Sequence, residues 1–235
     1  AMVDLIMGAS YIRVLLAVLV ASAPRCAAKY PLECLPLTPK VSAQATYSDI
    51  MWCLKSKKSV ELLGRDYFVS QGISMPPGSS LRGSGSAVSR IVIVTPSSLT
   101  DFVLRTANET SVRDVTLDAG NRLPGGCCTS VIAVFGHGSR LQDVVATDSP
   151  NGVGLNILDA ASKDNHFLRV EVRSCYYGVV FPHGLTKGHR NIFEAGTIEG
   201  IACDAVTFAG YGELIGSTIR DSGFGCVVDG ARVPG

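Results

Sequence analysis

One pattern limits this chain more than any other. The segment TIRDSGFGCVVDG at 218–230 has counterparts upstream. They are TIEGIACDAVTFAG at 197–210, EVRSCYYGVVFPHG at 171–184, VATDSPNGVGLNIL at 145–158 and the partial match VTLDAG at 115–120. Each has a short apolar strand, a turn of small residues and a second short strand. The equivalent apolar positions are Leu117, Ala146, Val172, Ile198 and Ile219, spaced by 29, 26, 26 and 21 residues. A period in this range marks a solenoid.

The alternation within each unit lasts only three to five residues: Val153, Leu155 and Ile157; Val179 and Phe181; Val206 and Phe208; Cys226 and Val228. Such strands are too short to bury a face alone. Glycines and β-branched residues interrupt every helical run, and the intervals leave no room for crossover helices. The expected fold is therefore all-β, a right-handed parallel β-helix whose last coil contains residues 221–230. An irregular β-sandwich is the alternative. Within ATYSDIMWCLKSKKSV at 45–60, Ile50, Met51 and Leu54 share one side of a short helix, with Ser48 as its N-cap. That helix would cover the first coil, because a solenoid end needs a cap.

Residues 1–40 differ from the rest. YIRVLLAVLVASAP at 11–24 reads as a secretory signal, too short for a membrane span, and PLECLPLTPK at 31–40 as an extended linker. The β-helix domain is expected over 41–235. Of the eight cysteines, Cys26 and Cys34 form the expected local disulfide, and Cys175, Cys203 and Cys226 pack as buried free thiols. With a net charge of +1 and only KSKK at 55–58 as a basic run, no nucleic-acid footprint is present.

The run LLGRDYFVSQGISMPPGSSLRGSG at 62–85, followed by repeated coils, resembles right-handed parallel β-helix proteins of the pectate-lyase-like superfamily. Ile73, Met75, Pro76, Gly78, Leu81, Gly83 and Gly85 carry the match, and the resemblance spans roughly 45–235. It implies a carbohydrate-active protein: a lyase, hydrolase or epimerase, or a non-catalytic glycan-gripping scaffold. The family's asparagine ladder is not evident, since Asn151, Asn156 and Asn191 share no coil position. The chain is short for a catalytic member, so a fragment, or a copy or partner covering the C-terminal coil, is expected.

On a parallel solenoid, residues distant in sequence stack about 4.8 Å apart. One position after the aligned apolar residue stand Asp118, Thr147, Arg173, Glu199 and Arg220. Arg173 and Arg220 would hold a sugar carboxylate while Glu199 moves a proton; the same column also serves as a plain ion-pair ladder. The next column, Ala119, Asp148, Ser174, Gly200 and Asp221, would face inward or sit at a bend. Asp118 and Glu199 lie several rungs apart, too far to act as a hydrolase pair. His183 is a candidate for proton transfer, with Lys187 and His189 binding substrate on the same loop. Tyr176, Tyr177 and Tyr211 would stack on sugar rings. Gly136-His137-Gly138 matches a polygalacturonase segment whose accompanying residues are missing. No metal pattern and no cofactor motif emerges; GSSLRGSGS at 78–86 lacks the lysine of a phosphate loop. The expected partner is an acidic polysaccharide, handled by a lyase or epimerase. The alternative is a β-helix that binds glycan or builds an assembly.

Overall fold

A strand of three or four residues can turn into the next only if one residue between them leaves the extended region. In this chain that residue takes the left-handed conformation, and it does so at the same place in successive coils. Asp114, Asp143, Arg169, Ala195 and Gly216 form one such corner, with φ of 50–58°. Asp148, Ser174, Gly200 and Asp221 form a second, with φ of 49–61°. Left-handed backbone costs an ordinary residue about 1–2 kcal/mol, less for Asp and Gly. Arg169 is held there by two bonds to the corner residue one rung earlier, Nε to Asp143 Oδ1 (2.6 Å) and Nη2 to Oδ2 (2.7 Å).

The computed structural model describes residue 34, residues 36–94, 101–124 and 129–223, and the backbone of 227–228 and 231–232. The leader, Cys26, Cys127, Cys128, Phe224 and Cys226 lie outside the described residues. The fold is an all-β, right-handed parallel solenoid with one helix at its N-terminal end. Three faces enclose a narrow core. On the first face Ser59–Glu61, Ser80–Arg82, the starts of Ser111–Asp118 and Arg140–Ile157, His166–Leu168, Ile192–Glu194 and Glu213–Ile215 stack in parallel. The second face stacks Asp66–Val69, Arg90–Ile93, the end of Ser111–Asp118, the middle of Arg140–Ile157, the start of Glu171–Phe181, Thr197–Glu199 and Thr218–Arg220. Ile73–Ser74, Phe102–Arg105, Ser130–Val134, the ends of the two long strands and Val206–Phe208 make the third.

The register agrees with the repeat read from the sequence. Leu117, Ala146, Val172, Ile198 and Ile219 are successive partners, and the ladder extends upstream through Ile91 to Tyr67. The parallel pairing excludes the sandwich. Each face contributes one inward column. On the first it runs Val60, Leu81, Val112, Leu141, Phe167, Phe193, all at most 1% exposed. Gly154 marks how tightly the coils close, since a Cβ there would lie 2.0 Å from Val172 Cγ1. Phe208, expected to point inward, is half exposed, its ring stacked on that of Phe181 at 5.1 Å.

Several expectations change. The helix is Ala43–Lys57, and its N-cap is Ser42, whose side chain accepts from the Ala45 N–H; Ser48 lies inside it. It ends where Lys58 turns left-handed, and Ser59–Glu61 already belongs to the first coil. Within the Pro-rich stretch, Cys34 and Leu37 are buried, and Leu37 bridges Leu62. Cys34 bonds Cys53 on the helix, not Cys26, because the chain folds back over the first coil with the two Cα atoms 5.5 Å apart. Cys203 is disulfide-bonded, whereas Cys175 is the buried free thiol expected, its pKa pushed by burial up to about 12. Within 221–230, the expected last coil, residues 227–228 do not join the parallel stack. Val227–Val228 pairs antiparallel with Ala231–Arg232.

A short asparagine stack exists after all. The residue before each of four successive strands of the first face forms a buried polar column: Thr110, Ser139, Asn165 and Asn191. Thr110 Oγ1 and Ser139 Oγ are 3.0 Å apart, Asn165 Oδ1 accepts from the Ser139 N–H, and Asn165 Nδ2 donates to Asn191 Oδ1 at 2.9 Å. Asn191 Nδ2 donates to the Ser162 carbonyl. Asn165 was not among the asparagines compared from sequence. Replacing Asn165 by Ala strands at least two buried polar groups, each worth about 1–3 kcal/mol. The expected loss is about 2–4 kcal/mol in urea unfolding, against about 0.5 kcal/mol or less for the exposed Asn151→Ala. Equal losses for the two would remove the stack from the stability of the fold.

Candidate functional site

The second face presents two outward columns, because residues on either side of an inward one both point to the surface. One holds Asp66, Arg90, Thr116, Val145, Glu171, Thr197 and Thr218. The other holds Phe68, Val92, Asp118, Thr147, Arg173, Glu199 and Arg220. From Asp118 onward the second is the column derived from the repeat, residue for residue.

Charge along it is largely internally matched. Arg220 binds Glu199 across one rung through both Nε and Nη2. Arg173 turns to its own strand and donates to Glu171 Oε1 at 3.0 Å. Arg173 and Glu199 are register neighbours, yet neither depends on the other for a partner.

The unusual group stands at the head of the charged stretch. Asp118 is only 4% exposed although it points outward. Its Oδ1 accepts from the Gly120 N–H at 2.6 Å, and Arg90 Nη1 reaches Oδ2 at 3.3 Å while holding Asp66 with Nε and Nη2. Its other neighbour is the exposed Asp148, at the corner one rung on, whose carboxyl acts on it directly. Burial raises the Asp118 pKa above the ordinary carboxylate value; the Asp148 charge and hydrogen bond add to the rise, and Gly120 and Arg90 oppose it. The result is a buried carboxyl that is harder to ionise than usual, beside a solvent-facing carboxyl. Thr147, also buried, separates Asp118 from Arg173 in the column, so the Arg173 backbone is two rungs, about 9–10 Å, down from Asp118 and one rung from the Asp148 corner.

The remaining candidates are scattered. Tyr176 and Tyr177 follow the Ser174 corner and meet edge to face at 4.8 Å, both half-buried. His183 is exposed on the loop after the third face, across the coil from Arg173. Lys187 and His189 lie in a short 3-10 turn on the same loop, where His189 Nδ1 accepts from the Thr186 N–H at 2.9 Å. Tyr211 donates to Glu213 Oε1 at 3.0 Å on the first face. His137 takes part through its backbone, bridging Lys163 between two left-handed glycines. Asp118 and Glu199 stand three rungs apart, as the column predicts. Among the described residues no group of three or more His, Cys, Asp or Glu side chains could hold a metal ion.

Sequence reasoning placed Asp148 at a bend but not against Asp118. The signal was available: adjacent positions in adjacent coils, both acidic. It also passed over His166, whose Nε2 lies 2.7 Å from Glu194 Oε2 on the first face.

No family model matches the sequence, and no curated protein does. Solved structures match it in fold. The catalytic domain of GH87 α-1,3-glucanase in complex with nigerose superposes with a TM-score of 0.53 at 15% identity, covering 80% of this chain and 32% of that one. A variant of that domain in complex with tetrasaccharides gives the same score and identity over 75% of this chain and 31% of that one. What they share is the parallel β-solenoid. This chain spans about a third of the glucanase domain's length.

A raised Asp118 pKa has a definite sign in stability. Folding favours the protonated form, so the contribution is full below the unfolded pKa and is lost as pH rises through the folded one. The stability difference between wild type and Asp118→Asn should therefore shift against wild type as pH rises from about 4. A difference independent of pH, in thermal unfolding, would contradict the raised pKa. Asp143 works the other way. Arg169 lowers its pKa, so its contribution is present above the ordinary carboxylate range and disappears in acid. Asp143→Asn should flatten the acid limb of the same curve.

Proposed function

We propose that this chain handles a carbohydrate on its second face and performs proton-transfer chemistry there, of lyase or epimerase type on an acidic glycan. The observation that carries the reading is the Asp118–Asp148 pair. A buried carboxyl whose pKa is raised, beside an exposed carboxyl, supplies an acid and a base at one place. In this reading Asp148 takes the proton next to the sugar carboxylate, Asp118 returns one, and Arg173 swings from Glu171 to hold the carboxylate and the charge that develops on it. Arg90 positions Asp118. Glu199, Arg220 and His183 then lie outside the reacting centre, with the Glu199–Arg220 pair bordering the sugar path.

Hydrolysis fits this geometry less well. The two carboxyls interact directly, whereas glycosidases separate theirs by about 5–9.5 Å. Tyr176 and Tyr177 offer ring faces beside the corner for a sugar to stack upon. The fold shared with a glucanase solved with bound oligosaccharides supports a carbohydrate ligand, and the resemblance of the 62–85 run supports a pectate-lyase-like lineage. The Cys34–Cys53 bond suits an oxidising compartment, in keeping with a secreted protein.

A second reading rests on the ion-pair ladder. Because Glu199 and Arg220, and Arg173 and Glu171, satisfy one another, the face also serves as a fixed surface that binds glycan without changing it.

The deciding experiment follows ultraviolet absorbance of unsaturated products, and proton exchange into solvent, over a panel of uronic-acid polymers. Activity on at least one polymer is expected. Asp148→Asn and Asp118→Asn should lower kcat by about 100-fold or more, the usual range for a general acid or base. Arg173→Ala should raise KM as well. Binding without product or exchange on any polymer would select the second reading; activity unaffected by both aspartate changes would remove the pair from catalysis.

A further inference from the structure

On the second face every arginine has a carboxylate. Arg90 has Asp66 and Asp118, Arg173 has Glu171, and Arg220 has Glu199. The first face breaks this rule over its early rungs. Arg82 and Arg113 are direct register partners, and Arg140 projects from the following rung one column over. Like charges placed directly opposite in a ladder destabilise it. Arg82 has a loose contact with Asp114 at 3.7 Å. Arg113 and Arg140 form no ion pair with any described residue, and both are exposed.

Beside the arginines runs a column of hydroxyls, Ser59, Ser80 and Ser111, with Ser80 Oγ donating to Ser59 Oγ at 3.0 Å. The two columns border a depression of about 220 Å³. Its acidic neighbours are few. Glu61 heads the charged column, Asp114 sits at the corner by Arg82, and Asp143 is committed to Arg169. Further along, the same face turns acidic at Glu194 and Glu213, which bounds the basic stretch.

We infer that this stretch is a second binding site, distinct from the Asp118–Asp148 pair, for a linear anionic glycan lying along the solenoid axis. Rungs repeat about every 4.8 Å, close to the length of one sugar residue in an extended chain. Arg82, Arg113 and Arg140 thus meet oxyanion groups on successive residues, and guanidinium forks suit sulfate and carboxylate alike. The serine hydroxyls meet the sugar hydroxyls between them. An anionic ligand relieves the repulsion between Arg82 and Arg113.

The test is titration calorimetry of the full chain with three hexasaccharides of equal length, one sulfated, one uronate and one neutral. Wild type should bind at least one anionic oligomer at least tenfold more tightly than the neutral one, more weakly as salt rises. The tighter of the two identifies the anion. Arg113→Gln/Arg140→Gln, exposed positions whose loss leaves the core untouched, should weaken anionic binding at least tenfold without lowering the unfolding midpoint. Asp118→Asn should leave it intact, which separates this site from the proposed reacting centre. Binding unchanged in the double variant, equal affinity for the neutral oligomer, or no binding to either anionic one would overturn the inference. So would equal affinity for a linear polyphosphate of similar length, because it would remove the sugar from the recognition.

Discussion

The structure depends on one constraint, the in-register parallel hydrogen bonding of each coil with the next. A strand of three residues has too little area to hold itself, so every strand here draws its stability from the rungs above and below. The constraint reaches the corners as well. Arg169 and Ala195 sit in backbone conformations that cost them energy, because their predecessors at the same height, Asp114 and Asp143, turn there. Where the cost is high, the corner supplies a compensating bond, as Asp143 does for Arg169.

The same stacking creates the chemistry. Two aspartates 30 positions apart become neighbours because one ends a strand and the other turns the corner of the following coil. Burial of Asp118 beneath the face, with Arg90 on one side and the Gly120 amide on the other, raises its pKa beside the exposed Asp148. Lower on that face the charges pair off, and on the first face they do not. One fold therefore presents a neutralised ladder, an acid–base pair and an unpaired basic track on surfaces that differ only in which residues follow the inward ones.

Legibility from sequence followed the locality of the signal. The apolar column from Leu117 to Ile219 and the charged column beside it were readable because each unit repeats its strand and its turn together. The two earliest coils were not: Tyr67, Ile91 and Leu117 are spaced by 24 and 26 residues, within the repeat, but their turns differ in sequence from those of the later units. The disulfide and the helix cap were misassigned for a related reason. Nearness in sequence favoured Cys26 with Cys34 and Ser48 as cap, while the chain's fold over the first coil brings Cys34 to Cys53 and starts the helix at Ser42. Asn165 was missed in the polar stack because the loop before it differs in length from its neighbours' loops.

By itself the sequence determined that short apolar strands recur at a solenoid's spacing, and hence which residues point inward and which share a column. Alternation and repeat length are carried by the chain locally, so they survive without coordinates. The tertiary structure decided which charges find partners. The Asp118–Asp148 contact, the internal pairing of Arg173 and Arg220, and the gathering of Arg82, Arg113 and Arg140 into a basic track in a chain of net charge +1 all depend on how far each side chain reaches across a rung. That reach is set by burial and by the corner geometry, which no spacing along the chain encodes.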